Sequence, residues 1–260
     1  MRPSRRNPIS SGALGEYDYP SPTISEDEGV RYLHLGTEWI QGAMRISKPD
    51  VIELEYVQQM MMWLLFNQHP RHIVQLGLGA AALTKFCNRQ FPETRITAVE
   101  LNPAVIEICH SKFGLPPNDA RLHVVQMDAM DFVQDPANHA AIDVLQVDLY
   151  DENARGPVLD TPEFYMACAA CLKPDGMLTI NLFGEPSSHA KNLQAMQPAF
   201  DAIVWLPEVH EGNVIIIAFK RAPAIDFSML YTRASAIRRT LNLPAKSWVD
   251  GLKAWMREGE

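Results

Sequence analysis

The stretch VLQVDLYDENARGP, residues 144–157, ends an apolar run on two aspartates three positions apart, Asp148 and Asp151. Val144, Leu145 and Val147 give the run the character of a strand, so the pair stands where a strand opens into a loop. Two carboxylates in such a place suit a bound cation, or a base that takes a proton from an amine. Aspartates also cap turns and helices, and that alternative needs no ligand.

A second set of residues points to a nucleotide. VQLGLGAAALTKF puts Gly77 and Gly79 in a strand-to-helix turn, where a missing Cβ lets a ligand approach the backbone beside a positive helix end. A GxG alone is weak evidence, and the next strand adds to it. ITAVEL closes on Glu100, 23 residues after Gly77, near the roughly 20 expected for an acid that binds ribose hydroxyls. After the third strand, QMDAMDF offers Asp128 as an acceptor for an adenine amino group. Each acid taken singly is also explained as a cap. Taken together, acids ending strands two, three and four converge on one crevice, and they predict an adenosyl ligand.

Those positions rest on an alternating chain. From residue 71, HIVQLGL, RITAVEL, RLHVVQM, IDVLQVDLY and GMLTINLF read as strands separated by helices. Pro103 starts one of these helices and Gly114 ends it; Thr161 and Pro162 cap and open another. AIVWLP and NVIIIAF close the sheet with too short a link for a parallel crossover, so they must pair antiparallel. This is the pattern of a Rossmann fold of the S-adenosylmethionine-methyltransferase type, with a mostly parallel seven-stranded sheet ending in an antiparallel hairpin. Ahead of it, GVRYLHLGTEWIQGAMRI reads as a small β-hairpin broken at Gly36, and DVIELEYVQQMMMWLLFN as one helix capped by Asp50. Met60, Met61, Met62 and Trp63 read as core packing. The expected domains are a mobile arm over 1–27, the hairpin and linking helix over 28–70, the nucleoside-binding domain over 71–221, and amphipathic C-terminal helices over 222–260.

Composition narrows the function. A net charge of -8 speaks against nucleic acid as the main partner and tolerates a cationic small substrate. Four scattered cysteines make no disulfide scaffold, and Cys168-x-x-Cys171 lies in an apolar helix, with no second ligand cluster to make it a metal site. No apolar run is long enough for a membrane span and the N-terminus lacks a signal core, so no membrane partner and a cytoplasmic location are expected. No metal is expected.

From about residue 30 to 220 the chain resembles the spermidine synthase (polyamine aminopropyltransferase) family. TEWIQGAMRI resembles that family's hairpin, with Gln41 as the nucleoside-contacting Gln. AVELNPAVIEIC resembles its ribose-binding segment, with Glu100 as the acid, and MDAMDF its adenine segment, with Asp128 and Ala129. VDLYDENARGP resembles its DxxDPxGP signature, lengthened by two residues, so that Asp148, Asp151 and Pro157 take the places of the catalytic base, its partner and the nucleoside-side proline. The resemblance implies decarboxylated S-adenosylmethionine as donor, methylthioadenosine as product, an amine acceptor and a homodimer. Three places depart from the family. Its donor-gripping Asp in the glycine loop falls on Ala80, and its Tyr-His-Glu or Tyr-Gln-Glu falls on Val57, Gln58 and Gln59, leaving Gln58 for the substrate and Tyr56 next door. Its Tyr-Pro-x-Gly-x-Trp falls on VHEGNV, where His210 and Glu211 stand in a turn that has lost both aromatics. The implied activity is therefore aminopropyl transfer to an altered acceptor. A methyltransferase using intact S-adenosylmethionine, or a protein that binds an adenosyl compound without turnover, is the alternative.

Overall fold

The computed structural model describes residues 19–184, 186–206 and 212–258. Two sheets organise them. The larger holds seven strands: β4 (His72–Leu76), β5 (Arg95–Glu100), β6 (Leu122–Gln126), β7 (Ile142–Val147), β8 (Leu172–Phe183), β9 (Ala202–Trp205) and β10 (Asn213–Phe219), in the order β6-β5-β4-β7-β8-β10-β9. Neighbours from β6 to β8 pair parallel, and β10 pairs antiparallel with both β8 and β9. The fold is the expected α/β one. The central strands are apolar on both faces: Ile73 packs into one cluster with Trp63 and Phe113, while Val74 and Leu76 pack into the other with Phe132 and Phe164. That is why these strands are predominantly apolar in the sequence, with Gln75 of β4 and Gln146 of β7 as a buried pair bonded to each other at 3.0 Å.

Helices cover both faces. α2 (Ala82–Gln90), α3 (Pro103–Lys112), α7 (Phe227–Leu241) and α8 (Ala245–Glu258) put Phe86, Cys109, Ile237 and Trp248 into the first cluster. α4 (Ala129–Gln134), α5 (Pro162–Cys171) and α6 (Pro186–Met196) put Phe132, Tyr165 and Met196 into the second. Local signals place their starts. Asn102 accepts from Ala104 N at 3.0 Å ahead of Pro103, and Thr161 Oγ1 accepts from Phe164 N at 3.3 Å ahead of Pro162. Cys168 and Cys171 are buried free thiols on α5. Among the described residues no helix is long and apolar enough to cross a membrane.

The N-terminal part differs from expectation twice. The smaller sheet has three antiparallel strands, β1 (Pro22–Asp27), β2 (Val30–Leu35) and β3 (Gly42–Arg45), so β1 occupies the end of the segment expected to be a mobile arm. An edge strand with little to bury needs no apolar alternation, and PTISED shows none. Its turn, Glu28-Gly29, has both residues at positive φ, as a two-residue hairpin requires. Residues 1–18 of the expected arm lie outside the described residues.

The expected helix over 50–67 is instead a single turn, α1 (Glu55–Gln59), followed by a 3₁₀ turn over Met62–Leu65. Residues from Met60 to Leu65 are all buried, which a one-sided α-helix cannot achieve. Asp50 caps nothing; it pairs with Arg89 at 3.4 Å.

Candidate active site

The strand order reverses at β4, between β5 on one side and β7 on the other, which is where α/β sheets hold ligands. A cavity of about 690 Å³ opens there, within the range of small-molecule sites. Gln41, Gly77, Gly79, Glu100, Asp128, Ala129 and Asp148 line it together. Seven positions expected from sequence therefore meet in one place.

The chain itself needs both glycines. At Gly77, φ +92, a Cβ would lie 2.1 Å from the Asp148 carbonyl oxygen, because Asp148 N donates to Leu76 O across the β4–β7 pair. At Gly79, φ +49, a Cβ would lie 2.8 Å from Gln41 O. Both positions exclude side chains so that strand ends and the N-terminal sheet can close on the loop.

Glu100 and Asp128 line the cavity and also hold backbone amides. Glu100 accepts from Leu78 N at 3.0 Å and Asn102 N at 2.9 Å. Burial holds its carboxyl above the usual range, and the backbone amides of Asn102, Leu78 and Leu101 oppose that shift. Asp128 caps α4, accepting from Met130 N at 2.7 Å. The capping role expected of such an acid is present at Asp128, on a side chain that also faces the cavity.

Asp148 and Asp151 part company. Asp148 Oδ1 accepts from Asn181 Nδ2 at 3.0 Å, and Oδ2 faces the Tyr56 hydroxyl at 3.5 Å, a long contact. Burial pushes its pKa up to about 6, with the Asn181 and Tyr56 hydrogen bonds pulling the other way. Asp151 turns into its own loop: Oδ1 accepts from Asn153 N and Arg155 N, each at 2.8 Å. Its carbonyl accepts from Gln41 Nε2 at 3.0 Å, while Thr37 Oγ1 donates to Glu152 O at 2.6 Å. These bonds fasten the β2–β3 loop over the loop after β7.

Three expected residues lie off the cavity wall. Asp151 is held as just described. Pro157 is buried and does not line the cavity, whereas the next two residues, Val158 and Leu159, do. Gln58 donates to Ile52 O at 2.8 Å and lines a separate depression. Tyr56, two residues earlier, takes the place beside Asp148. Ala80 is buried against Gly42, where a Cβ would come within 2.5 Å of Ala80 N. With Gln41, Tyr56 and Asp148 it lines a recess of about 30 Å³ beside the main cavity. His210 and Glu211 lie outside the described residues.

Sequence reasoning missed Tyr150, Asn181, Phe183 and Trp39, which also line the cavity. Tyr150 Oη donates to Asn181 O at 2.7 Å, and burial raises its phenol well above the ordinary value. Asn181 carried a signal: it is a lone amide near the carboxyl end of an apolar strand, LTINLF.

Comparison with known proteins fits this geometry. A family model described as spermine/spermidine synthase domain matches residues 54–229. A polyamine aminopropyltransferase of Chromobacterium violaceum is 30% identical over 236 residues, covering 90% of each chain. Among solved structures, a probable spermidine synthase from Corynebacterium glutamicum is similar with a TM-score of 0.71 at 21% identity, over 95% of each chain. Human Methyltransferase-like protein 13, solved in complex with SAH, is similar with a TM-score of 0.64 at 22% identity, over 73% of this chain and 93% of that one. The two structural likenesses establish the fold.

Proposed function

The chain belongs to the spermine/spermidine synthase family, and from that premise we propose that it moves an aminopropyl group from decarboxylated S-adenosylmethionine to a small primary amine. One observation carries this reading. Among the described residues the charged side chains lining the cavity are Glu38, Glu55, Glu100, Asp128 and Asp148, all carboxylates, with no Lys, Arg or His beside them. A decarboxylated donor brings a sulfonium and an ammonium, and a wall of one negative sign favours both. The intact donor adds a carboxylate, for which that wall offers no basic side chain.

Each residue then has a task. Glu100 accepts from the ribose hydroxyls, Asp128 and Ala129 receive the adenine, and Met127, Val158 and Leu159 supply apolar surface around it. Asp148 is the base. A free amine titrates near about 10.4, so the acceptor arrives protonated and unreactive at neutral pH. Asp148 binds that ammonium and takes one proton as the nitrogen attacks the aminopropyl carbon. The new N–C bond forms as the C–S bond breaks, its electron pair stays on sulfur, and methylthioadenosine leaves. A positioned base of this kind typically contributes about 10²–10⁴ in rate.

Thermal unfolding with paired nucleosides tests the reading. Decarboxylated S-adenosylmethionine and methylthioadenosine should stabilise the protein more than S-adenosylmethionine and S-adenosylhomocysteine. At 100 times the dissociation constant the gain is about 2.7 kcal/mol, a shift of a few degrees. Asp148→Asn should keep that shift and lose turnover; full activity in this variant rules out Asp148 as the base. A methyltransferase is the second reading, favoured by Ala80, which leaves the donor's ammonium without an acid in the glycine loop. A larger shift with the carboxylated pair would select it.

A further inference from the structure

A second polar layer lies beneath Asp148. Gln75 of β4, Gln146 of β7 and Thr179 of β8 stand side by side in register, and all three are buried. Two positions further along the same strands come Gly77, Asp148 and Asn181, on the side of the cavity. The amides join in one chain of bonds. Gln146 Nε2 donates to Met60 O at 3.0 Å, Gln75 Nε2 donates to Gln146 Oε1 at 3.0 Å, and Thr84 Oγ1 of α2 donates to Gln75 Oε1 at 2.6 Å. A carbonyl can only accept, so Met60 O sets the sense of each bond back to Thr84. Met60 in turn closes α1, and its backbone amide donates to Tyr56 O at 3.0 Å.

Resting on the reaction read above, we propose that Gln75 and Gln146 are positioning residues for it: through the Met60 carbonyl they hold the single turn of α1, and so Tyr56, against Asp148. A turn of five residues is too short to keep its place by its own hydrogen bonds. Two apolar side chains would fill the same core space without the cost of burying amides. A chain of bonds with every member satisfied holds them in one arrangement, and this chain ties together α2, β4, β7 and α1. The Tyr56 hydroxyl stands at 3.5 Å from Asp148 Oδ2, so a small movement of α1 decides whether it bonds at all. The polar groups set against Asp148 are Tyr56 from α1, Asn181 from β8 and Tyr150 from its own loop, while Glu38, Glu55, Glu100 and Asp128 share its cavity.

The test reads Asp148 in the full chain in two ways. One is the NMR titration of its carboxyl carbon, assigned with Asp148→Asn. The other is the acid limb of kcat/KM for methylthioadenosine release from decarboxylated S-adenosylmethionine with 1,4-diaminobutane or hexylamine. Gln146→Met keeps the length of the side chain and removes its donor. It should raise the midpoint and the limb together by about half a pH unit, roughly threefold in the ionisation equilibrium, because a displaced Tyr56 no longer favours the charged form. Tyr56→Phe should raise both as well, and adding Gln146→Met to it should raise them no further. A role in core packing alone would lower the melting temperature and leave the midpoint in place. A midpoint unmoved in Gln146→Met, or one that rises by the full sum in the double variant, overturns the inference. If Gln146→Met does not fold, Thr84→Val, which removes the far hydroxyl and keeps the shape, should move the midpoint in the same direction; an unmoved midpoint there overturns it equally. Absence of methylthioadenosine release with either amine would count against the aminopropyl-transfer reading, and the carboxyl titration would still decide whether the network positions Tyr56.

Discussion

At the scale of single residues, the two aspartates that mark the end of β7 have opposite surroundings. Asp148 sits between Tyr56 and Asn181 with its pKa pushed up to about 6 by burial, while Asp151 spends its carboxylate on its own loop. The sign of the consequence is definite. A carboxyl with a raised pKa is neutral below it and ionised above it, so the base role proposed for Asp148 requires activity to switch on as pH rises through about 6. The kcat/KM profile should therefore have an acid limb near that pH. Tyr56→Phe or Asn181→Leu removes a bond that favours the ionised form, and should move the limb upward by about half to one pH unit. A limb that stays in place in both variants would detach it from Asp148. The acids were legible in the sequence because strand ends are legible. Tyr56 and Asn181 were not assigned to the base, because they come from α1 and β8 and meet it only in the folded chain.

At the scale of elements, the junction of β4 and β7 holds the site together. Gly77 allows the Asp148 carbonyl to approach so closely that no Cβ fits between them, at a backbone angle that side chains adopt with strain. Gly77→Ala should cost about 2–3 kcal/mol, read as a lower midpoint in urea unfolding, and should weaken nucleoside binding. An unchanged midpoint would show that the strand ends move apart freely. The parallel strands were recognisable from their apolar runs, and Pro103, Thr161 and Pro162 marked helix starts correctly. Two elements were misjudged for one reason. Residues 60–65 are buried on every side and carry no helical stripe, while β1 lies at an edge and buries little, so neither shows the one-sided pattern that periodicity detects.

At the scale of the whole molecule, the N-terminal three-stranded sheet completes a cavity that the large sheet alone leaves open. Gln41 and Thr37 reach across to the carbonyls of Asp151 and Glu152, more than a hundred residues away in the chain. Gln41→Ala combined with Thr37→Val should speed amide exchange in β2 and β3 and reduce the ligand-induced thermal shift, with the large sheet protected as before. Equal protection of both sheets in the variant would mean that the clamp contributes nothing. The order of strands and helices was determined by the sequence itself, and with it the convergence of Glu100, Asp128 and Asp148 on one sheet edge, since every parallel strand delivers its carboxyl end to the same side. Only the tertiary structure decided which aspartate faces the cavity and what lines the rest of its wall. Asp148 is aimed by the amide of Asn181 and the backbone of the loop after β7 is held by bonds from Gln41 and Thr37, and no local spacing encodes contacts between segments so far apart; Asp151 is turned away by the amides of Asn153 and Arg155 in its own loop.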